Sequence, residues 1–388
     1  MNTVYEILKK EKRRQKHTIE LIASENFPSK NVMRICGTEF MNKYTEGYPG
    51  NRYYGGCEYY DELEIYCQQK WQEAFNTDYY VNVQPHSGTN ANLAAYMAVL
   101  KPGDSFLSMS LDHGGHLSHG SPVNISGKVF NVYHYGVDEH GCIDYADLER
   151  LMKEVNPKLV VVGASAYPRI IDFKKIREII GDTLMMADIA HIAGLVISHD
   201  HPSPFGIADI VTTTTQKTLR GCRGGLIFCK PELAKKIDSA VFPGTQGGSL
   251  MNMIAGKAIT AEEACSPQFT EYIHRVVENS NAMCNVFLNH GIPVVTGGTD
   301  NHLFLLDLSK RYPHVTGKML QDACDKVYIT LNKNMIPGDT RSPVNTSGVR
   351  IGTAAMTTKG FTAEDFCWVA REIISICERL EEEWKNDV

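Results

Sequence analysis

Two neighbouring runs, TLMMADIAH at 183–191 and ADIVTTTTQK at 208–217, decide how this chain folds. Both are short and rich in apolar or β-branched residues, which reads as strand. KLVVVGAS at 158–165 has the same character, and NANLAAYMAVL at 90–100 reads as helix. Helical stretches alternating with such runs point to a parallel sheet with helical crossovers. Near-continuous apolar strands fit a sheet covered on both faces. After about residue 252 the pattern changes to a long helical stretch, a strand NHLFLLDL at 301–308, a short helix around 316–327 and an amphipathic helix around 362–384. The expected organisation is therefore α/β: an N-terminal arm over 1–40, a large parallel-sheet domain over 41–252 and a smaller α+β domain over 253–388.

A chain of 388 residues is long enough for two domains. Its 43% hydrophobic and 22% charged residues are those of an ordered globular protein. A net charge of -6 argues against a polyanion, nucleic acid or anionic membrane, as the main partner. The N-terminal MNTVYEILKKEKRRQKHTIE has no apolar signal core, and no run approaches a membrane span, so the expected location is cytoplasmic. The eleven cysteines run from Cys36 to Cys377 without a C-x-x-C pair and read as reduced residues.

Chemistry concentrates at strand ends, where open α/β sheets collect their ligands. Lys217 follows the run 208–215, and a lysine there is able to form an imine; a plain exposed lysine past a strand end reads the same way. Asp188 ends the run TLMMA and is suited to hold a protonated pyridine nitrogen. Together they make the smallest site for pyridoxal 5′-phosphate (PLP). Ser87, Gly88 and Thr89 precede the helix at 90–100, where backbone N–H groups form an anion cup, although such a turn also serves simply as a helix cap. His113, His116 and His119 in LDHGGHLSHG, with His191, invite a zinc reading. Their spacing lacks the H-E-x-x-H pattern, no cysteine lies in register, and no metal is expected. A ring stacked flat on a planar cofactor accounts for at least one of them. The chain has no G-x-S-x-G elbow, which removes the commonest serine-hydrolase reading.

LIASEN, NKYTEGYPGNRYYGGCEY, VQPHSGTNAN, HGGHLSHGSPVN, GASAYPR, ADIAHIAGLV, TTTTQKTLRGCRGG, FPGTQGG, GGTDNHL and SGVRIGT follow one another from residue 21 to 353. In content and order they resemble the motifs of the serine hydroxymethyltransferase family. The resemblance implies the PLP-dependent transferase fold type I, aspartate aminotransferase-like, and a homodimer with shared active sites. It makes Lys217 the lysine that binds PLP, Asp188 the partner of the pyridine nitrogen, His116 the stacked ring, and Ser87, Gly88 and Thr89 the phosphate cup. Gly247 and Gly248 resemble a loop reaching the phosphate from the partner subunit. Ser165 and His191 match groups around the phenolic oxygen, and Thr214 matches the threonine beside the substrate amine. Arg350 matches the residue pairing with the amino-acid carboxylate, a task suited to a planar bidentate donor, with Ser24 and Tyr54 as secondary contacts. Glu46 resembles the acid near the transferred hydroxymethyl group, and Tyr44 is its neighbour. Tyr53, Leu111, Gly114, Gly115, Leu117 and Asn334 fall at folate-side positions.

Three positions depart from the family pattern: Gln216 where it has histidine before the lysine, and Cys222 and Ser249 where it has proline. An amide cannot take up a proton near neutral pH as imidazole does, so Gln216 alters the electrostatics beside Lys217. If both residues are extended, their side chains point to opposite faces. The implied reaction is exchange of a one-carbon unit between serine and tetrahydrofolate. A paralogue cleaving threonine-like β-hydroxy amino acids, or passing glycine to another aldehyde, keeps most of the same residues. A metallohydrolase and a binding protein without catalysis are the readings from other classes.

Overall fold

The computed structural model describes residues 3–387. The chain divides into two units, one over Asn26–His274 and one formed by the residues up to Glu25 together with those from Arg275 on. The boundaries thus fall at 25 and 274 rather than at 40 and 252. Among the described residues no helix is long and apolar enough to cross a membrane.

The unit over 26–274 is built on seven strands: β1 (Tyr80–Asn82), β2 (Ser105–Met109), β3 (Asn131–Tyr135), β4 (Leu159–Val162), β5 (Leu184–Asp188), β6 (Ile210–Thr214) and β7 (Gly225–Cys229). Their order in the sheet is β1-β7-β6-β5-β4-β2-β3. β2 to β6 pair in parallel, but β7 runs antiparallel to both β1 and β6, so the sheet is mixed rather than wholly parallel. All of β4, β6 and β7 is buried. This is why Leu159–Val162 carries no polar alternation: both faces are covered. β6 contains threonines instead, whose β-branched stems suit a strand and whose hydroxyls need partners. Thr212 Oγ1 donates to Asn92 Oδ1 at 2.7 Å, and Thr213 Oγ1 to Thr214 O at 3.1 Å.

Helix α1 (Gly88–Val99) starts at Ser87, whose Oγ accepts the Asn90 N–H. Its small residues Ala91, Ala94 and Ala95 are buried against the sheet. A Cβ on Gly88 would stand 2.5 Å from Thr214 Cγ2, so only glycine lets the helix start come this close to the end of β6. The helical stretch expected after 252 is two helices, Met251–Ala264 and Pro267–Asn289, the second opening on a proline at its first position.

The second unit has a three-stranded antiparallel sheet, with Gly348–Gly352 between Leu303–Asp307 and Asn332–Asn334. Its core joins Phe304, Leu306 and Ile351 to Phe366, Val369 and Ile373 of the terminal helix Ala363–Asp387. The N-terminal residues belong here because Ile19–Glu20 pairs in parallel with Ile329–Thr330. The N–H of Gly352 also donates to Leu21 O at 2.8 Å.

Candidate active site

β5 and β6 are adjacent parallel strands, with Asp188 in register with Thr212. Their carboxyl ends therefore deliver Asp188 and the loop of Lys217 to one edge of the sheet. β6 stops at Thr214, and residues 215–217 form a bend. Strand alternation therefore does not set the side chains of Gln216 and Lys217 apart, contrary to the expectation for an extended pair. The loop closes on Thr215: its Oγ1 donates to Cys222 O at 2.6 Å, and its carbonyl accepts the Gly221 N–H at 2.7 Å. The Lys217 carbonyl accepts from Asn26 Nδ2 at 2.8 Å and from the Arg220 N–H at 3.0 Å. Lys217 is only 8% exposed.

Asp188 is held by three donors. Oδ2 accepts from Asn92 Nδ2 and from His119 Nε2, each at 2.8 Å, and Oδ1 from the Ala190 N–H at 3.1 Å. Burial pushes its pKa up, but the His119 hydrogen bond, followed by electrostatic attraction toward His119, Lys217 and His116, outweighs this and holds it well below the usual carboxylate range. The side chain is thus a fixed anion.

The three histidines of the 113–119 loop face different partners. His113 Nδ1 accepts the Val137 N–H, His119 bonds Asp188, and His116 Nδ1 lies 2.7 Å from Ser118 Oγ. The Ser118 N–H also points to His116 Nδ1, and Ser118 Oγ accepts from Asn92 Nδ2 at 2.9 Å. These bonds make Nδ1 the acceptor and assign the His116 ring proton to Nε2. Gly114 has φ +108, and a Cβ there would lie 2.9 Å from Ala166 O. Ser165 Oγ donates to Gly115 O at 2.7 Å. His191 is buried, and its carbonyl accepts Thr218 Oγ1. Leu111 and Leu117 are exposed on the same loop.

Gly88 and Thr89 occupy the first turn of α1, where N–H groups have no carbonyl within the helix and suit a phosphate. Thr214 Oγ1 is buried without a hydrogen-bond partner among the described residues, next to that turn. A buried lysine, a fixed carboxylate, a helix start and an orphaned hydroxyl together fit a phosphorylated pyridine aldehyde.

A second cluster gathers Tyr44, Glu46, Tyr53, Tyr54, Gly247 and Gly248. Tyr54 OH donates to Glu46 Oε2 at 3.3 Å, and the Tyr44 and Tyr54 rings meet edge to face at 5.7 Å. A Cβ on Gly248 would come 2.9 Å from the Tyr44 ring, and one on Gly247 3.6 Å from Glu46 Oε1. Arg52 fixes the short hairpin Gly47–Tyr48/Asn51–Arg52, which lies between Tyr44 and Glu46 on one side and Tyr53 and Tyr54 on the other. Its guanidinium donates to Thr45 O, Gly47 O, Asp61 and Glu64 at 2.9, 2.8, 2.8 and 2.6 Å. Ser249, at the departure from proline, bonds Thr45 Oγ1 at 2.7 Å. Gln246 ties this cluster to the cup by donating to Gln84 O and accepting from the His86 N–H.

Ser24, Asn334 and Arg350 belong to the other unit. Arg350 stands opposite Leu305 and Asn332 in its sheet, and its Nε donates to Asn332 Oδ1 at 3.2 Å. Burial pushes the guanidinium down to about 10, still cationic at neutral pH.

Sequence reasoning missed Asn92, Arg52 and Lys257, and took His119 only as one of the histidines inviting a zinc reading, not as the partner of Asp188. Lys257 is 1% exposed and donates to Val83 O, Pro85 O and Gly225 O at 2.6, 2.9 and 3.0 Å. It clamps the segment entering the cup onto the start of β7. The signal was a single lysine among the small and apolar residues of MNMIAGKAITA. Lys257→Met leaves three buried carbonyls without this donor, at about 1–3 kcal/mol each, partly offset by no longer burying a charge. A net loss on the order of 3 kcal/mol should lower the melting temperature by roughly 5–10 °C in a calorimetric scan. Burial pushes the Lys257 ammonium down to about 8, so from pH 8 toward the ordinary lysine value the unfolded chain binds more protons. The stability gap between wild type and variant should therefore widen with pH over that window.

The family model described as Serine hydroxymethyltransferase matches residues 2–373 of this chain.

Proposed function

Because this chain belongs to the serine hydroxymethyltransferase family, we propose that it is a PLP-dependent transferase interconverting serine plus tetrahydrofolate with glycine plus 5,10-methylenetetrahydrofolate. The observation that carries the proposal is the placing of buried Lys217, in the loop after β6, on the same side of the sheet as the fixed carboxylate of Asp188 at the end of the adjacent β5. When bound, PLP supplies an electron sink for charge developing on the amino-acid α-carbon.

In this reading Lys217 holds the cofactor through its side-chain nitrogen, and Asp188 keeps a proton on the ring nitrogen. Asn92 and His119 hold that carboxylate in place. Ser87, Gly88 and Thr89 bind the phosphate. His116 stacks on the ring with Nδ1 satisfied by Ser118. Ser165 and His191 serve the phenolic oxygen, and the Thr214 hydroxyl accepts or donates at the substrate amine. Arg350, with Ser24 and Tyr54, takes the substrate carboxylate as a charge-assisted pair. Glu46 moves the proton on the hydroxymethyl side, and Tyr54 positions its carboxylate. Tyr53, Leu111, Gly114, Gly115, Leu117 and Asn334 are proposed for folate. Gly247 and Gly248, with Tyr44, are proposed to act in a homodimer, completing the phosphate site of the partner subunit.

A second reading, an aldolase or transaldolase acting on threonine-like β-hydroxy amino acids, is favoured by Gln216. Its Oε1 is buried without a hydrogen-bond partner among the described residues, where the family pattern has a titratable ring. Steady-state assays with serine, with and without tetrahydrofolate, against threonine and allo-threonine separate the two. Folate-dependent glycine release from serine is the expected result. Faster folate-independent cleavage of threonine would replace the transferase by the second reading. Gln216→His should shift the serine-to-threonine ratio only several-fold, since the change is worth about 1 kcal/mol.

A further inference from the structure

The cysteines read from the sequence as scattered core thiols, yet two of them meet. Cys36 closes the short helix Lys30–Ile35, and Cys222 ends the loop that closes on Thr215 around Lys217. A Cβ placed on Gly256 would stand 2.6 Å from Cys36 Sγ and 2.8 Å from Cys222 Sγ. Both sulfurs thus reach one point on the face of helix Met251–Ala264, and only a glycine there leaves them room. Glycine inside a helix is less favourable than alanine, and here its neighbours Ala255 and Lys257 are both buried. Cys36 is anchored by its carbonyl, which accepts Asn252 Nδ2 at 2.8 Å. Cys222 is anchored by its carbonyl on Thr215 Oγ1.

We propose that Cys36 and Cys222 are a modification site, at which a low-molecular-weight disulfide oxidises the pair to an intrachain disulfide joining the segment 30–36 to the Lys217 loop.

The two thiols are unequal in the way such exchange requires. Cys36 is partly exposed and Cys222 buried. The neighbouring Cys222 thiol lowers the pKa of Cys36, while the same interaction, followed by burial, raises that of Cys222, whose Sγ also donates to Met253 O at 3.4 Å. The thiolate attacks, so Cys36 is the entry point. Its sulfur bonds to one sulfur of the small disulfide, whose S–S bond breaks and releases the first thiolate. Cys222 then gives up its proton and attacks the Cys36 sulfur, breaking the mixed disulfide and releasing the second thiolate. Two protein thiols are oxidised, one small disulfide is reduced to two thiols, and the two protons pass to the released thiolates. The product bond lands five residues from Lys217.

Oxidised glutathione is the probe, applied to the purified full chain, with Cys265 as an exposed thiol for comparison. The expected result is a free-thiol titre lower by two, no glutathione mass retained at these positions, and a non-reduced digest in which the Cys36 and Cys222 peptides are linked. Dithiothreitol should reverse all three. Cys222→Ser should instead accumulate a mixed disulfide at Cys36, and Cys36→Ser should leave Cys222 a thiol. If the buried Cys222→Ser change prevents folding, Cys36→Ser and the wild-type digest still decide. A stable mixed disulfide at Cys36 in the wild type, or reaction at Cys265 with none at Cys36, would overturn the proposal.

Discussion

Lys217→Met is expected to abolish covalent cofactor attachment and to lower turnover by about a thousandfold or more. The change keeps the length and apolar stem of the side chain. Bonds that hold the loop run to backbone atoms and through the hydroxyls of Thr215 and Thr218: Asn26 to Lys217 O, Arg220 N–H to Lys217 O, Thr215 Oγ1 to Cys222 O and Thr218 Oγ1 to His191 O. The loop should therefore stay where it is, and the lost activity reports the nitrogen. Removing a positioned acid or base costs about 10²–10⁴-fold, and here the same nitrogen also holds the cofactor. The check is borohydride reduction in the presence of PLP, followed by peptide mapping. Wild type should carry the label on Lys217 and the variant nowhere. Label on another lysine in the wild type, or a variant as active as its parent, would remove the central assignment.

What the sequence made legible follows the range of the forces involved. Local pattern placed Leu184–Asp188 and Ile210–Thr214 within the runs read as strands, and Gly88–Val99 within two residues of the helix read at 90–100. Those elements depend on period and composition, which a window of ten residues contains. Neither β7 nor its antiparallel entry was read, because GLIFC is a five-residue apolar run behind a glycine-rich loop and its direction is set by its neighbours rather than by its own pattern. Nor was the pairing of Ile19–Glu20 with Ile329–Thr330, where only tertiary packing chooses the partner. Within the candidate site, Lys217 and Asp188 stood out because strand ends concentrate ligands. Asn92 and His119 did not: an asparagine in the middle of a helix and one histidine among several gain meaning only when both reach Asp188 Oδ2. Lys257 was hidden for a related reason, since its three carbonyl partners come from segments about thirty or more residues away. Cys36 and Cys222 likewise lie 186 positions apart, and no spacing rule brings them together.

Asp188→Asn is expected to reduce turnover by about a hundredfold to a few thousandfold and to flatten the acid limb of the stability curve. Asparagine has nearly the same shape and still accepts from Asn92 or His119 through its carbonyl oxygen, so cavity effects are small. What it loses is the charge. Breaking a buried charge pair costs about 3–5 kcal/mol, and about 1.4 kcal/mol is a factor of ten in rate. If Asp188 keeps the cofactor ring protonated, that loss falls on the reaction, whereas a merely structural carboxylate would leave the rate near its parent value. The stability readout is independent of the cofactor. The pKa of Asp188 is depressed in the fold, so its contribution is fully present above the ordinary aspartate value of about 3.9 and is lost as pH falls through the lower folded value. Denaturant titrations of the apoprotein below pH 4 should therefore show a steeper loss of stability in wild type than in Asp188→Asn. Parallel curves would mean that the carboxylate is not held as a fixed anion, and with that the proposed hold on the ring nitrogen would lose its physical basis.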